Sequence, residues 1–186
     1  MEEKRERLGD RAKVSATMLA AHLSWARNRW PDALERLRPH LDEACLELVS
    51  RPLGTAMDLT HLSDKDRILL RDLVRVARAI AAVEGGPSEA TFNALGRHSA
   101  ALNLAGAYET FTPDEPHRFF TQMAFLHRSF QNFGQSKYEK TGDRAGRIRI
   151  EGYEEYSPMF CESGRDRKST RLNSSHSRAS RMPSSA

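Results

Sequence analysis

Residues 137–164 read KYEKTGDRAGRIRIEGYEEYSPMFCESG, and this stretch decides the fold. Within it Arg147-Ile148-Arg149-Ile150-Glu151 alternates strictly, as a strand with one buried and one wet face does. Gly142-Asp143 separates that run from Tyr138-Glu139-Lys140, which predicts a hairpin closed by a turn or bulge. A lone hairpin is marginal in water and needs further strands, or a helix layer, over its isoleucine face. The long segment before it reads as helix and supplies that layer. Nothing after residue 164 reads as another strand. The expected fold is therefore α+β, with an N-terminal helical layer packed on a small, incomplete antiparallel sheet.

Charge divides the chain at the same place. The 186 residues carry a net charge of +4. Residues 165–186 hold Arg165, Arg167, Lys168, Arg171, Arg178 and Arg181 against Asp166 alone, so the body before them is close to neutral. The basic pI near 9.3 comes from this tail, and no basic stripe interleaved with aromatics marks the body as a nucleic-acid binder. The tail is rich in serine and poor in anything that could bury, which predicts disorder. It also resembles translated sequencing-adapter read-through, so its cations and serines are not read as sites. Residues 1–12 are mostly charged and read as a flexible N-terminus, which leaves 13–164 as the folded domain.

Cys45 and Cys161 lie far apart in sequence, with neither the density of a disulfide scaffold nor the spacing of a metal knuckle. The N-terminus lacks the apolar core of a signal peptide, and no apolar run is long enough to span a bilayer. The expected setting is the cytoplasm, with reduced thiols and no membrane insertion.

Helical periodicity organises the region before the hairpin. Val14, Met18, Leu19, Leu23 and Ala26 predict a helix over 13–30, ended by Trp30-Pro31. PDALERLRPHL and residues 41–49 predict two short helices. Ser63 to Asp66 reads as a cap for a long helix carrying Ile68, Leu69, Leu73, Val76, Ala77 and Ile80, stopped by Gly85-Gly86-Pro87. A helix over 88–108 carries Phe92, Leu95, Ser99, Leu102 and Gly106 on one face, with Ala94, Ala101 and Ala105 beside them. Thr112-Pro113-Asp114-Glu115 then opens a helix bearing Phe119, Met123, Leu126, Phe130 and Phe133.

Candidate chemistry is sparse. There is no HExxH, no GxSxG and no glycine-rich phosphate loop between strand and helix. Cys161 follows an apolar segment and reads as a buried thiol or as a ligand contact. His98 and Tyr108, with Phe119, Met123 and His127, either line a pocket for a flat apolar ligand or form an ordinary aromatic core with tethered histidines. A single imidazole from His98 or His127 would suffice for haem, but no CxxCH occurs. The candidate binding residues are thus His98, Tyr108, Phe119, Met123, His127 and Cys161, with no catalytic residue and no metal site.

Ala94-Leu95-Gly96-Arg97, Pro116-His117-Arg118-Phe119-Phe120, residues 138–142 and residues 152–161 together resemble a bacterial family related to the 4-vinyl reductase domain. More distantly they resemble the haem-based nitric-oxide-binding fold. The resemblance covers residues 14–164. It implies a helical layer on an antiparallel sheet with a buried pocket between them. Such a domain implies small-molecule sensing in cytoplasmic signalling, or assistance in tetrapyrrole metabolism, rather than a shared catalytic site. After the position of Cys161 the family continues through a helix and final strands, which the tail replaces here, so the sheet is expected to lack its C-terminal strands. The nitric-oxide sensors' Tyr-x-Ser-x-Arg haem-propionate motif is absent, which argues against haem.

The reading is a non-catalytic sensing domain for an apolar small molecule, acting on a signalling protein partner. The alternatives are an enzyme or accessory acting on a tetrapyrrole, and a purely structural or dimerising domain. The unpaired sheet edge adds an expectation of homodimers or aggregation.

Overall fold

The helical layer starts at a serine cap. Ser15 has extended backbone, and its Oγ accepts the Thr17 amide at 3.2 Å, which opens α1 (Ala16–Arg29). Trp30, at φ −134°, ends it as the residue before Pro31 must. The computed structural model describes residues 10–51, 67–86, 88–105, 116–143, 145–152 and 180–181. After α1 come the short α2 (Ala33–Leu37), a 3-10 turn at Arg38–His40, and α3 (Glu43–Ser50). Asp42 caps α3 by accepting the Cys45 amide at 2.9 Å, and that bond holds its carboxyl below the usual range.

Two strands appear where helix was expected. Lys13–Ser15 forms β1, and Arg67–Leu69 forms β2, so Ile68 and Leu69 belong to a strand rather than to the long helix. The two pair antiparallel, with Val14 opposite Ile68. On its other side Val14 bridges Gln131. Lys13 O accepts the Asn132 amide at 3.1 Å, and Leu70 N–H donates to Ala12 O at 2.8 Å. These backbone bonds join segments distant in sequence, and they override local helix propensity. A three-residue strand is too short to announce itself by alternation. The cap read at 63–66 lies outside the described residues.

The long helix is α4 (Leu70–Glu84), and it buries Leu70, Leu73, Val74, Val76, Ala77, Ala79, Ile80 and Ala81. Gly85 closes it in the left-handed conformation, φ 69°, with its N–H on Ala81 O, as the Gly85-Gly86-Pro87 stop predicts. α5 (Ser88–Ala105) follows. Phe92, Leu95 and Ser99 are buried as expected, but Leu102 is 42% exposed. The small residues at its buried face are Gly96 and Ala100, whereas Ala94 is half-buried and Ala101 exposed. α5 packs on α1 and α4, with α2 against the same pair and α3 against α4. The core of the protein lies there. Among the described residues every buried apolar side chain falls between Ala12 and Ala100.

α6 (Pro116–Phe130) leads into the hairpin of β3 (Gln135–Gly142) and β4 (Ala145–Glu151). The helix stops at Phe130, short of Phe133, because Gln131 and Asn132 bond to β1. Tyr138 faces Ile148 and Lys137 faces Arg149, with a register shift between Lys140 and Gly142 where a turn or bulge was expected. The outer face carries Lys137–Glu151 at 2.8 Å and Arg149–Glu139 at 3.6 Å. Ile150 is 39% exposed, so the isoleucine face is only partly covered. Of the tail, the structure describes Ser180–Arg181 alone, a two-residue β5 beside the turn end of β4. The sequence anticipated one sheet. Among the described residues there are two, the pair β1–β2 and the antiparallel β3–β4–β5, with helices as the main mass, so the fold is α+β.

Candidate functional site

The polar cluster of this structure lies where α6 meets the hairpin. His117, second residue of α6, places Nε2 2.6 Å from the Asp143 carbonyl at the turn. A carbonyl only accepts, so Nε2 carries the proton. In the neutral ring Nδ1 then accepts, and it lies 2.5 Å from the Tyr138 hydroxyl, which donates. The Tyr138 ring stacks on Phe120 at 5.5 Å and 24°, and Phe120 meets Phe119 edge-on at 5.2 Å. Gly146 of β4 makes this placement possible, since a Cβ there would fall on the Tyr138 phenol. Burial pushes the Tyr138 hydroxyl above its ordinary pKa, which keeps it a donor.

This arrangement braces α6 to the middle of β3 and to the turn that follows it. It offers no nucleophile, and both His117 nitrogens are engaged. Above it the apolar residues of α6 are incompletely covered. Phe119, Phe120, Met123, Ala124 and Phe130 are half-buried, and Phe125 is 74% exposed. No described α6 side chain is fully buried. An amphipathic helix on a finished core has a buried stripe; this one has a half-open apolar layer.

The sequence-derived candidates fall into separate places. Phe119 and Met123 lie in that layer on α6, and the backbone of α6 also carries His127. His98 is on α5 and faces α1, with Nε2 3.3 Å from Ser24 Oγ, and burial depresses its pKa. His98 is thus anchored on the helical core, while α6 packs on the hairpin and β1. Tyr108 and Cys161 lie outside the described residues. The sequence reading did not pair His117 with Tyr138. Both residues fall in quoted motifs, but their contact spans 21 positions and depends on the hairpin register.

Other groups are structural. Cys45 is 1% exposed, and burial pushes its thiol up to about 12. Among the described residues no three His, Cys, Asp or Glu side chains converge on a metal-sized space, and no helix is long and apolar enough to cross a membrane.

No family model matches the chain, and no curated protein sequence matches it. Solved structures do. The Fe(II) unliganded H-NOX protein from K. algicida, an alanine-to-glycine variant, aligns with TM-score 0.55 at 9% identity over 84% of this chain and 81% of its own. An oxygen-binding H-NOX domain related to soluble guanylate cyclases aligns at 0.53 and 10% identity over 84% and 79%. A structure concerned with haem redox potential and porphyrin distortion aligns at 0.53 and 11% identity over 84% of each chain. The chain therefore shares the H-NOX-like fold, the more distant of the two resemblances read from the sequence. The relation to the 4-vinyl reductase domain finds no counterpart among these matches.

Haem requires an axial donor with an available lone pair beside a slot for the macrocycle. Among the described residues His117 has both nitrogens bonded, His98 binds Ser24, His22 is enclosed in the α1 core, and His40 is exposed on the 3-10 turn. The Tyr138–Phe120 stack occupies the His117 end of the contact between α6 and β3. Among the described side chains, no imidazole offers a free lone pair where α6 meets the hairpin.

Proposed function

We propose that this chain is a non-catalytic small-molecule-sensing domain that acts in signalling, with an apolar ligand held between α6 and the hairpin. One observation carries the reading: α6 is rich in aromatics, yet none of its described side chains is fully buried. Apolar surface left half-covered beside a fixed polar brace is the raw material of a pocket that is mostly apolar with few polar groups. The H-NOX-like fold supports it, because those neighbours include an oxygen-binding domain related to soluble guanylate cyclases. The proposed contacts are Phe119 and Met123, joined by Tyr108, His127 and Cys161. His98 is anchored on α1 instead. The proposed setting is the cytoplasm, where Cys45 stays a thiol.

Native mass spectrometry with an absorption spectrum on the full chain tests this, followed by titration with protoporphyrin IX and with an anilinonaphthalene probe. The expected result is a co-purified small molecule or saturable binding, weakened about tenfold or more by Met123→Glu, since a charge entering an apolar contact costs more than 1 kcal/mol. Chemical turnover of a bound tetrapyrrole would favour the accessory role that a 4-vinyl reductase relation implies. A sample at the bare polypeptide mass that binds neither probe would leave the structural or dimerising reading.

A further inference from the structure

Where α6 ends against β1 and β2, three segments that carry cations meet. Asn132 is the knot. Its Oδ1 accepts the Lys13 amide at 2.7 Å, its own amide donates to Lys13 O at 3.1 Å, and its Nδ2 donates to Arg11 O at 3.0 Å. Arg67 of β2 reaches the same end of the helix and donates Nη2 to Arg128 O at 3.2 Å. The backbone of Arg11 and Lys13 and the guanidinium of Arg67 therefore meet at the end of α6 that carries Arg128, with Arg11 and Arg128 exposed.

Among the described residues no acidic side chain is paired with Arg11, Lys13, Arg67 or Arg128. Residues 116–138 contain no Asp or Glu. Asp10, next to Arg11, is committed to Arg71. Arg67 Nη1 is enclosed and meets no hydrogen-bond acceptor among the described residues. The carbonyl end of α6 stabilises cations locally and makes their accumulation there tolerable. One turn back along the helix, Phe125 stands 74% exposed, in an outward stripe with Arg118, Thr121 and Arg128.

We propose that this seam is a docking surface for an acidic protein segment carrying an apolar residue. Carboxylates of that segment meet the Arg11–Lys13–Arg67–Arg128 cluster, and its apolar side chain covers Phe125. Charge complementarity selects the partner's sign. Phe125, the one exposed aromatic among the described residues, selects protein over nucleic acid, which takes a longer basic track with several stacking rings. It is also too small an apolar area to hold a membrane. The proposal goes beyond ligand sensing and does not depend on it. It assigns the face through which the domain contacts its partner.

Fluorescence anisotropy on the full chain tests it with a labelled helical peptide that places glutamates around a central leucine. The same peptide with alanine for leucine, anionic phosphatidylglycerol vesicles and a single-stranded oligonucleotide serve as competitors. Arg128→Glu is expected to weaken peptide binding at least about tenfold and Phe125→Ser about fivefold, with thermal melts unchanged since both side chains are exposed. Arg36→Glu makes the same charge change on α2, outside the cluster, and should alter affinity less than about twofold. Equal losses from Arg128→Glu and Arg36→Glu would overturn the proposal, because binding would then follow net charge or the basic tail. Tighter binding of vesicles or oligonucleotide than of peptide would overturn it as well. Each result is read without any small ligand present, so failure here leaves the sensing proposal untouched.

Discussion

Gly146→Ala is the sharpest probe of how the hairpin is held. The backbone at Gly146 is not in the left-handed region, so alanine fits the strand itself. The obstacle is the Tyr138 phenol, which occupies the space a Cβ would take. Making room displaces the ring from Phe120 and the hydroxyl from His117. The lost hydrogen bond is worth about 1 kcal/mol net, and the ring pair about 0.5–1.5 kcal/mol. Replacing glycine returns about 0.5–1 kcal/mol by restricting the unfolded chain. The balance is a destabilisation of about 1 kcal/mol confined to α6 and the hairpin. Hydrogen exchange should therefore show faster opening of α6, β3 and β4 amides, with α1 and α4 unchanged. In a Tyr138→Ala background the obstacle is gone, and the same glycine substitution should become neutral or stabilising. A cost that is the same in both backgrounds would refute the argument, as would no cost in the parent protein.

Three further outcomes follow from the core and its ionisable groups. Phe92→Ala removes a ring that is 1% exposed and should cost about 3–5 kcal/mol in urea unfolding, a large part of a domain's stability. His98 has a depressed folded pKa, so the stability it contributes is present above its ordinary value near 6.5 and is lost as pH falls through the folded value. His98→Gln keeps a partner for Ser24 and should flatten the fall in melting temperature between about pH 7 and pH 5, where the unfolded imidazole takes up its proton. The Cys45 thiol, pushed up to about 12, should resist iodoacetamide in the folded chain and react only under denaturant, as peptide mapping would show.

Much of the helical layer could be read directly. The Trp30-Pro31 and Gly85-Gly86 stops and the apolar periods of α1, α4 and α5 act through backbone sterics and faces that involve only neighbouring residues. The hairpin was legible for the same reason, since Arg147 to Glu151 alternates and Gly142-Asp143 turns. The candidate site was legible only by composition. Phe119 and Met123 could be assigned to an apolar helix, but not their half-burial, which depends on how α6 sits against β3. His98 shows what composition leaves open. It shares a histidine-and-aromatic region with α6 in sequence, yet its hydrogen bond runs back to α1.

The amino-acid sequence by itself determined the alternation of helix and hairpin, the neutral body with its basic tail, and the α+β class. Those are consequences of local propensity, period and charge. Tertiary structure alone decided that Lys13–Ser15 and Arg67–Leu69 are strands, that His117 pairs with Tyr138 over Gly146, and that Asn132 ties the backbone of Arg11 and Lys13 to the end of α6. Each of those depends on backbone or side-chain bonds between residues far apart in the chain, and their free energy exists only once the elements have packed.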